Sequence, residues 1–280
     1  LAQRLVAAQF PQFVDLEINP IQPGGWDNCS FRLGHDYTLR MPTASCYAVQ
    51  VAKEQCWLPG LAPHLPLPIP EPVAMGKPGE GYPHPWSILR WIEGQDALHA
   101  DIAGDTTLAR DLAGFLSALH RAPADDGPPA GDHNFHRGGA LAVYDGETQA
   151  ALNRLQGGRQ RTCAEAVWAR ALTSQWPCPP VWVHGDIAPD NLLMHEGRLS
   201  AVLDFGQCGI GDPACDLVIA WTAFRGPARA VFLDTVGLDR NTLNRARGWG
   251  LWKALISLNN PDVQVVARAQ VALAELLKDA

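Results

Sequence analysis

The amino-acid sequence predicts an α+β chain in two lobes: an N-terminal five-stranded antiparallel sheet with one main helix, and a larger, mostly helical C-terminal lobe. Three observations carry that prediction. In the first third, short β-branched and aromatic runs alternate with glycine- and proline-bearing turns. From residue 105 onward apolar residues recur mainly at helical spacing. One stretch, Val181 to Leu217, breaks that helical pattern with short apolar runs separated by acidic and amide side chains.

Taken in order, LAQRLVAAQFPQF has the period of an amphipathic helix and lacks the charged-then-apolar order of a signal peptide. The first residue is Leu1, not Met, so further N-terminal sequence is expected. The segment PGGWDNCSFRLGHDYTLRMP reads as a turn at Gly24 and Gly25, a strand around Cys29 to Leu33, a tight turn at Gly34-His35-Asp36, and a strand from Tyr37 to Met41 that stops at Pro42. A helix from Ser45 to Leu58 follows, with Glu54 facing the sheet near Val51 and Leu58, and Lys53 directed to solvent. After a proline-rich connection from Pro59 to Pro72, the segments Glu71 to Gly76 and Trp86 to Ile92 complete the sheet. The lobes are expected at 1–92 and 93–280, joined near residues 91 to 97.

In the second lobe, residues 105 to 121 carry Leu108, Leu112, Phe115, Leu116, Leu119 and His120 at helical spacing, a buried helix in which His120 has no chemical role. Residues 122 to 139 are a Gly/Pro-rich loop. Residues 215 to 224 and 242 to 259 read as helices in which Trp221, Trp249 and Trp252 are mostly core, with one or two able to line a cleft.

The chemistry concentrates in VWVHGDIAPDNLLMHEGRLSAVLDFGQCGIGDPACDL. Its pattern is strand, loop, short strand, turn, short strand, which places the polar residues on loops held by a rigid hairpin. Phosphoryl transfer to a hydroxyl needs a carboxylate beside the attacking oxygen and oxygen ligands that hold Mg²⁺ on the phosphates. Asp186 and Asn191 repeat the D-x-x-x-x-N spacing of the protein-kinase catalytic loop, and Asp204-Phe205-Gly206 repeats its D-F-G in the right order. Asp212 and Asp216 read as turn and cap residues that support the loop.

HGDIAPDN, LDFG and GDPACDL together resemble the aminoglycoside phosphotransferase family, a branch of the protein-kinase-like fold with His-Gly-Asp in place of His-Arg-Asp. The resemblance implies that Asp186 orients or deprotonates the acceptor hydroxyl, that Asn191 and Asp204 bind Mg²⁺, and that His184 shapes the loop. It places the phosphate-pairing cation at Arg40, in LRMP, with Glu54 as its partner, although most kinases carry lysine there. Gly24, Gly25, Asn28 and Ser30 join the nucleotide-binding candidates, and the hinge that binds adenine through its backbone falls at Arg90, Trp91 and Ile92. ATP is the expected donor, with GTP as an alternative. The acceptor is expected to be a cationic or sugar-containing small molecule, with Asp190, Glu165 and Asp262 as acidic candidates for its recognition. Macrolide, choline, homoserine and sugar kinases share this fold, so the acceptor stays open. A non-catalytic nucleotide-binding module is the alternative of another class. Protein kinase activity is disfavoured, since no Ala-Pro-Glu follows the Asp-Phe-Gly.

A formal net charge of −7 and a sequence pI near 5.7 argue against nucleic-acid binding, and no apolar run is long enough for a bilayer span. Seven scattered cysteines with no C-x-x-C pair argue for reduced thiols in cytoplasm and against a zinc site, and Cys208 and Cys215 are expected to pack. The oligomeric state is not legible.

Overall fold

In the computed structural model, which describes residues 1–22, 24–155 and 157–278, helix α1 (Ala2–Gln9) turns its Ala2, Leu5 and Val6 inward against the sheet. Strands β1 (Ile18–Pro20), β2 (Asn28–Leu33) and β3 (Tyr37–Pro42) come next, and β2 and β3 join through the glycine turn at Gly34, whose φ of 56° suits a residue without a Cβ. Helix α2 (Ser45–Leu61) precedes β4 (Pro72–Gly76) and β5 (Trp86–Arg90), and the five strands pair antiparallel in the order β1-β2-β3-β5-β4. Leu33, Leu39, Met41, Trp86 and Ile88 close a small core under α1. Phe10 meets Trp86 edge to face at 5.3 Å.

The predicted end of α2 at Leu58 is three residues short. The helix runs through Pro59, which cannot donate to the Gln55 carbonyl, and the core packing of Leu58 and Leu61 on either side of it offsets that lost bond.

The remaining chain contributes β6 (Gln95–Asp96), α3 (Thr106–Leu119), α4 (Asp145–Arg154) and α5 (Arg159–Thr173). Strands β7 (Val181–Val183), β8 (Leu192–His195), β9 (Arg198–Val202) and β10 (Gly209–Gly211) follow, then α6 (Ile219–Thr222), α7 (Gly226–Val236), α8 (Arg240–Ser257) and α9 (Val263–Leu277). Asp105 caps α3 by accepting from the Thr107 and Leu108 amides, and its Leu108, Leu112, Phe115, Leu116 and Leu119 are buried as their spacing predicts. Around them, Trp168, Trp182, Trp221, Trp249 and Trp252 fill the larger core. The segment predicted as one helix over 215 to 224 is instead a 3₁₀ turn, Pro213–Leu217, followed by the short α6. Asp212 accepts from the Ala214 amide at its start and opens it tightly.

Two small antiparallel units carry the polar loops. β7 pairs with β10, and the hairpin β8-β9 turns at Glu196 and Gly197, both at positive φ as a tight hairpin requires. Among the described residues no helix is long and apolar enough to cross a membrane.

Candidate active site

Between β7 and β8 the chain runs through His184, Gly185, Asp186 and Asn191, and its shape is fixed by a buried carboxylate. Asp216 Oδ2 accepts from the His184 amide at 3.0 Å and Oδ1 from the Gly185 amide at 2.7 Å, while His120 Nε2 lies 3.2 Å from Oδ2. The expectation of a structural role for Asp216 therefore has a concrete form, and His120, expected to be idle, is a partner of that anchor. His184 works on the other side of the loop. Its Nδ1 receives the Asp186 amide at 3.2 Å, so the ring proton sits on Nε2 and is donated to Leu203 O at 2.8 Å. This ring ties the loop to the strand that leads into Asp204.

Gly185 can be no other residue in this backbone. Its φ is 86°, and a Cβ there would stand 2.5 Å from the Gln207 carbonyl oxygen and 3.0 Å from Arg137 Cβ. The glycine of His-Gly-Asp thus lets two loops touch behind the carboxylate.

Asp186 faces the cleft with both oxygens engaged. Lys253 Nζ, from α8, donates to Oδ1 at 2.8 Å, and Gln207 Nε2 donates to Oδ2 at 3.2 Å. Gln207 in turn accepts from Arg137 Nε at 3.0 Å, and the Arg137 guanidinium lies over Trp252 and Trp249 at 4.7 and 5.2 Å. Burial by itself would raise the Asp186 carboxyl, but the charges of Lys253 and Arg137 more than offset it and hold the group below the usual carboxylate range. Asn191 donates Nδ2 to the Asp186 carbonyl at 2.9 Å, which leaves its amide oxygen as the free end.

Asp204 has a left-handed backbone, φ 60° and ψ 70°, a conformation aspartate tolerates better than most residues. Its Oδ1 accepts Arg40 Nη2 at 2.8 Å, and Arg40 Nη1 donates to Glu54 Oε1 at 3.0 Å. The sheet supplies Arg40 from β3, where it pairs in register with Ser30, and α2 supplies Glu54. Burial opposes the charge on Arg40, yet Glu54 and Asp204 together reverse that effect and hold the guanidinium more firmly protonated than a free arginine.

The donor set suits Mg²⁺. One amide oxygen and one carboxylate are hard ligands of the kind that ion takes when phosphates and water complete its shell. Asn191 already has its nitrogen turned away by the loop, so its oxygen needs no rearrangement. Among the described residues no cluster of three or more His, Cys, Asp or Glu forms a metal cage, as a site that relies on substrate phosphates does not require one.

The other candidates divide. Asn28 is buried at the start of β2, whereas Gly24 and Gly25 lie exposed, with at most an ordinary contact to the Asn28 carbonyl where a Cβ would go. At the hinge, the Arg90 amide is spent on Glu71 O and the Trp91 amide on Asp36 O, while Ile92 N–H has no partner among the described residues. The Trp91 ring is covered by Arg32 at 3.6 Å. Of the acidic acceptor candidates, Glu165 pairs with Arg161 on an exposed helix face and Asp262 caps α9, and only Asp190 adjoins the cleft. There burial and the Asp186 charge raise its carboxyl.

Lys53 corrects the expectation that it points to solvent. It is buried, and its ammonium donates to Cys208 O at 2.9 Å and meets His133 Nδ1 at 3.1 Å, so α2 is pinned to the loop behind Asp204. Helical spacing alone treats Lys53 as the outer neighbour of Glu54, because it does not know that a second loop covers that face. Lys253, Arg137 and Gln207 were not singled out by the sequence. No local pattern marks them, since Lys253 sits among tryptophans in a core helix and Arg137 in a long loop. Cys208 and Cys215 are buried with free thiols, as expected, and burial pushes Cys208 up to about 12.

The chain matches the model of the phosphotransferase enzyme family over residues 17–252. It is similar to an aminoglycoside 3'-phosphotransferase of Escherichia coli, 28% identical over 151 residues that cover 49% of this chain and 51% of that protein. A Salmonella typhimurium aminoglycoside 3'-phosphotransferase is 30% identical over 139 residues, 48% of this chain and 51% of its own length. The chain thus spans about half the length of the curated relatives it matches. The fold is that of an APH(2'') aminoglycoside phosphotransferase solved with GDP and kanamycin, with a TM-score of 0.76 at 20% identity over 98% of this chain and 97% of that one. It is also that of a Brachybacterium faecium macrolide 2'-phosphotransferase, with a TM-score of 0.65 at 22% identity over 97% and 96%.

Proposed function

The chain belongs to the phosphotransferase enzyme family, and from that membership we propose that it is an ATP- and Mg²⁺-dependent O-phosphotransferase acting on a hydroxyl of an aminoglycoside or similar small molecule. One observation carries the reading: a charged network of Arg40 with Glu54 and Asp204 stands in the same cleft as Asp186 and Asn191. The working division is a nucleotide-binding lobe, 1–92, and a lobe at 93–280 that holds the catalytic loop and acceptor site.

Arg40 binds nucleotide phosphate oxygens, with Glu54 holding its fork in place. The turn at Gly24 and Gly25 with Asn28 and Ser30 covers the phosphates, and the hinge at Arg90, Trp91 and Ile92 takes the base of ATP, or of GTP as the alternative donor, with the Ile92 N–H as its open donor. Asn191 and Asp204 would hold Mg²⁺, which when bound would supply charge neutralisation on the phosphate oxygens. Asp186 accepts the hydroxyl proton as the acceptor oxygen bonds to the γ-phosphorus and the bond to the β-phosphate oxygen breaks, releasing ADP. A carboxylate of depressed basicity suffices, because in a loose transition state positioning and electrostatics supply most of the rate.

Relatives named for aminoglycosides favour a cationic amino-sugar acceptor, and we place its phosphorylation in the cytoplasm as an antibiotic-resistance activity. A macrolide acceptor is the second reading, favoured by the macrolide phosphotransferase among the structural neighbours. The test is Mg²⁺-dependent ADP release from ATP across aminoglycosides, macrolides, choline and simple sugars, with Asp186→Ala as control. Stimulation by one class, lost in the variant, supports the reading. Nucleotide binding with no ADP release for any acceptor supports a non-catalytic module.

A further inference from the structure

Asp186 is held by two donors of different kinds. On Oδ2 the donor is the half-buried Gln207, held in turn by Arg137, which is buried and packed against Trp249 and Trp252, so this side is a fixed prop. On Oδ1 the donor is Lys253, whose side chain is 40% exposed, and its ammonium has two further N–H groups not used by Asp186. A partly solvated lysine pair of this sort adds at most about 1 kcal/mol to stability, so folding alone gives little reason for its placement.

Geometry gives a better one. A hydroxyl that donates to Asp186 sits roughly 2.6–3.2 Å from the carboxylate, and the phosphorus it attacks lies about 3–3.5 Å beyond. Lys253 Nζ is one hydrogen bond from the same carboxylate, on the solvent-facing side of α8, and a lysine stem swings by more than this span. The catalytic loop itself, His184 to Asn191, contains no cation, and Arg137 is locked by Gln207 and its two tryptophans. Lys253 is therefore the loop's nearest adjustable positive charge among the described residues that bond to Asp186.

Resting on the phosphotransfer reading above, we propose that Lys253 is a second phosphate-binding cation of this site, donating to γ-phosphoryl oxygens of ATP from the helical lobe as Arg40 does from the sheet. Between turnovers it pairs with Asp186. When ATP binds, one of its spare N–H groups reaches the γ-phosphoryl group, and it stays protonated throughout while Asp186 takes the hydroxyl proton.

Because ADP lacks the group Lys253 grips, calorimetric titration with Mg-ADP and with a Mg-bound non-hydrolysable ATP analogue separates this role from a structural one. Lys253→Met and Lys253→Gln should each weaken the ATP analogue about tenfold, the scale of one charge-assisted hydrogen bond, and leave ADP within about twofold. Lys253→Arg should restore most of the difference. Equal weakening of both nucleotides, or no change in either, overturns the assignment while leaving the phosphotransfer reading intact. Wild-type protein that binds neither nucleotide overturns that reading and this assignment with it.

Discussion

Arg40 Nη2 stands 2.8 Å from Asp204 Oδ1, joining strand β3 to the loop after β9 across 164 positions of chain. The same guanidinium holds Glu54, whose side chain is only 4% exposed, so one cation bridges two carboxylates. Removing it leaves the buried Glu54 carboxyl without its counter-ion. Arg40→Met should therefore cost about 3 kcal/mol in urea unfolding, at the lower end for a broken buried pair, and adding Glu54→Gln should recover a substantial part. Additive losses in the double variant would contradict the pairing as an energetic unit.

Asp186 and Asp204 should separate chemistry from binding. Asp186→Ala should lower turnover by about 10²–10⁴ with Mg-ATP affinity nearly unchanged, because its partners are Lys253 and Gln207 and it is not assigned to the metal. Asp204→Ala should lower both, and it should also loosen Arg40. Near-normal turnover in both variants would remove the mechanism.

How much of this was legible in the sequence depends on distance along the chain. The acidic and amide residues of 181–217 could be read because the hairpin β8-β9 brings Asn191 and Asp204 together within a few turns of chain. The Arg40 and Glu54 pair could be read because one strand and one helix face suffice to orient both. Lys253, 67 residues from Asp186, and Lys53, 155 residues from Cys208, could not, since their placement depends on how α8 and the loop at 122–139 pack. The same applies to Pro59 inside α2: local propensity ends the helix there, and packing of Leu58 and Leu61 in the core carries it one more turn.

The loop anchor makes a separate claim. Gly185→Ala forces a Cβ to 2.5 Å from the Gln207 carbonyl at a positive φ, and should cost about 2 kcal/mol or more in stability together with most of the activity. Asp216→Ala leaves the His184 and Gly185 amides unpaired in a fully buried setting, at about 1–3 kcal/mol for each. Asp216→Asn keeps one acceptor oxygen and should be the milder change. Thermal and urea denaturation of the three variants checks the ranking.

Asp27, in the turn before β2, gives a pH-dependent test. Burial first, then the charges of Asp204 and Asp186, raise its carboxyl to about 6, against a hydrogen bond from Tyr47 and the charge of Arg40 that pull it down. The folded state thus binds this proton more tightly than the unfolded chain, whose value is near 3.8. Its stabilising effect is present below that value and is lost as pH rises through about 6, so the charged form is a liability at neutral pH. Asp27→Asn should stabilise the nucleotide-free protein by about 1 kcal/mol at pH 8, after allowance for solvent screening, and by almost nothing as pH falls toward 4. Urea midpoints at both pH values decide it. A difference that does not change with pH would mean that Asp27 does not feel the carboxylates of the cleft.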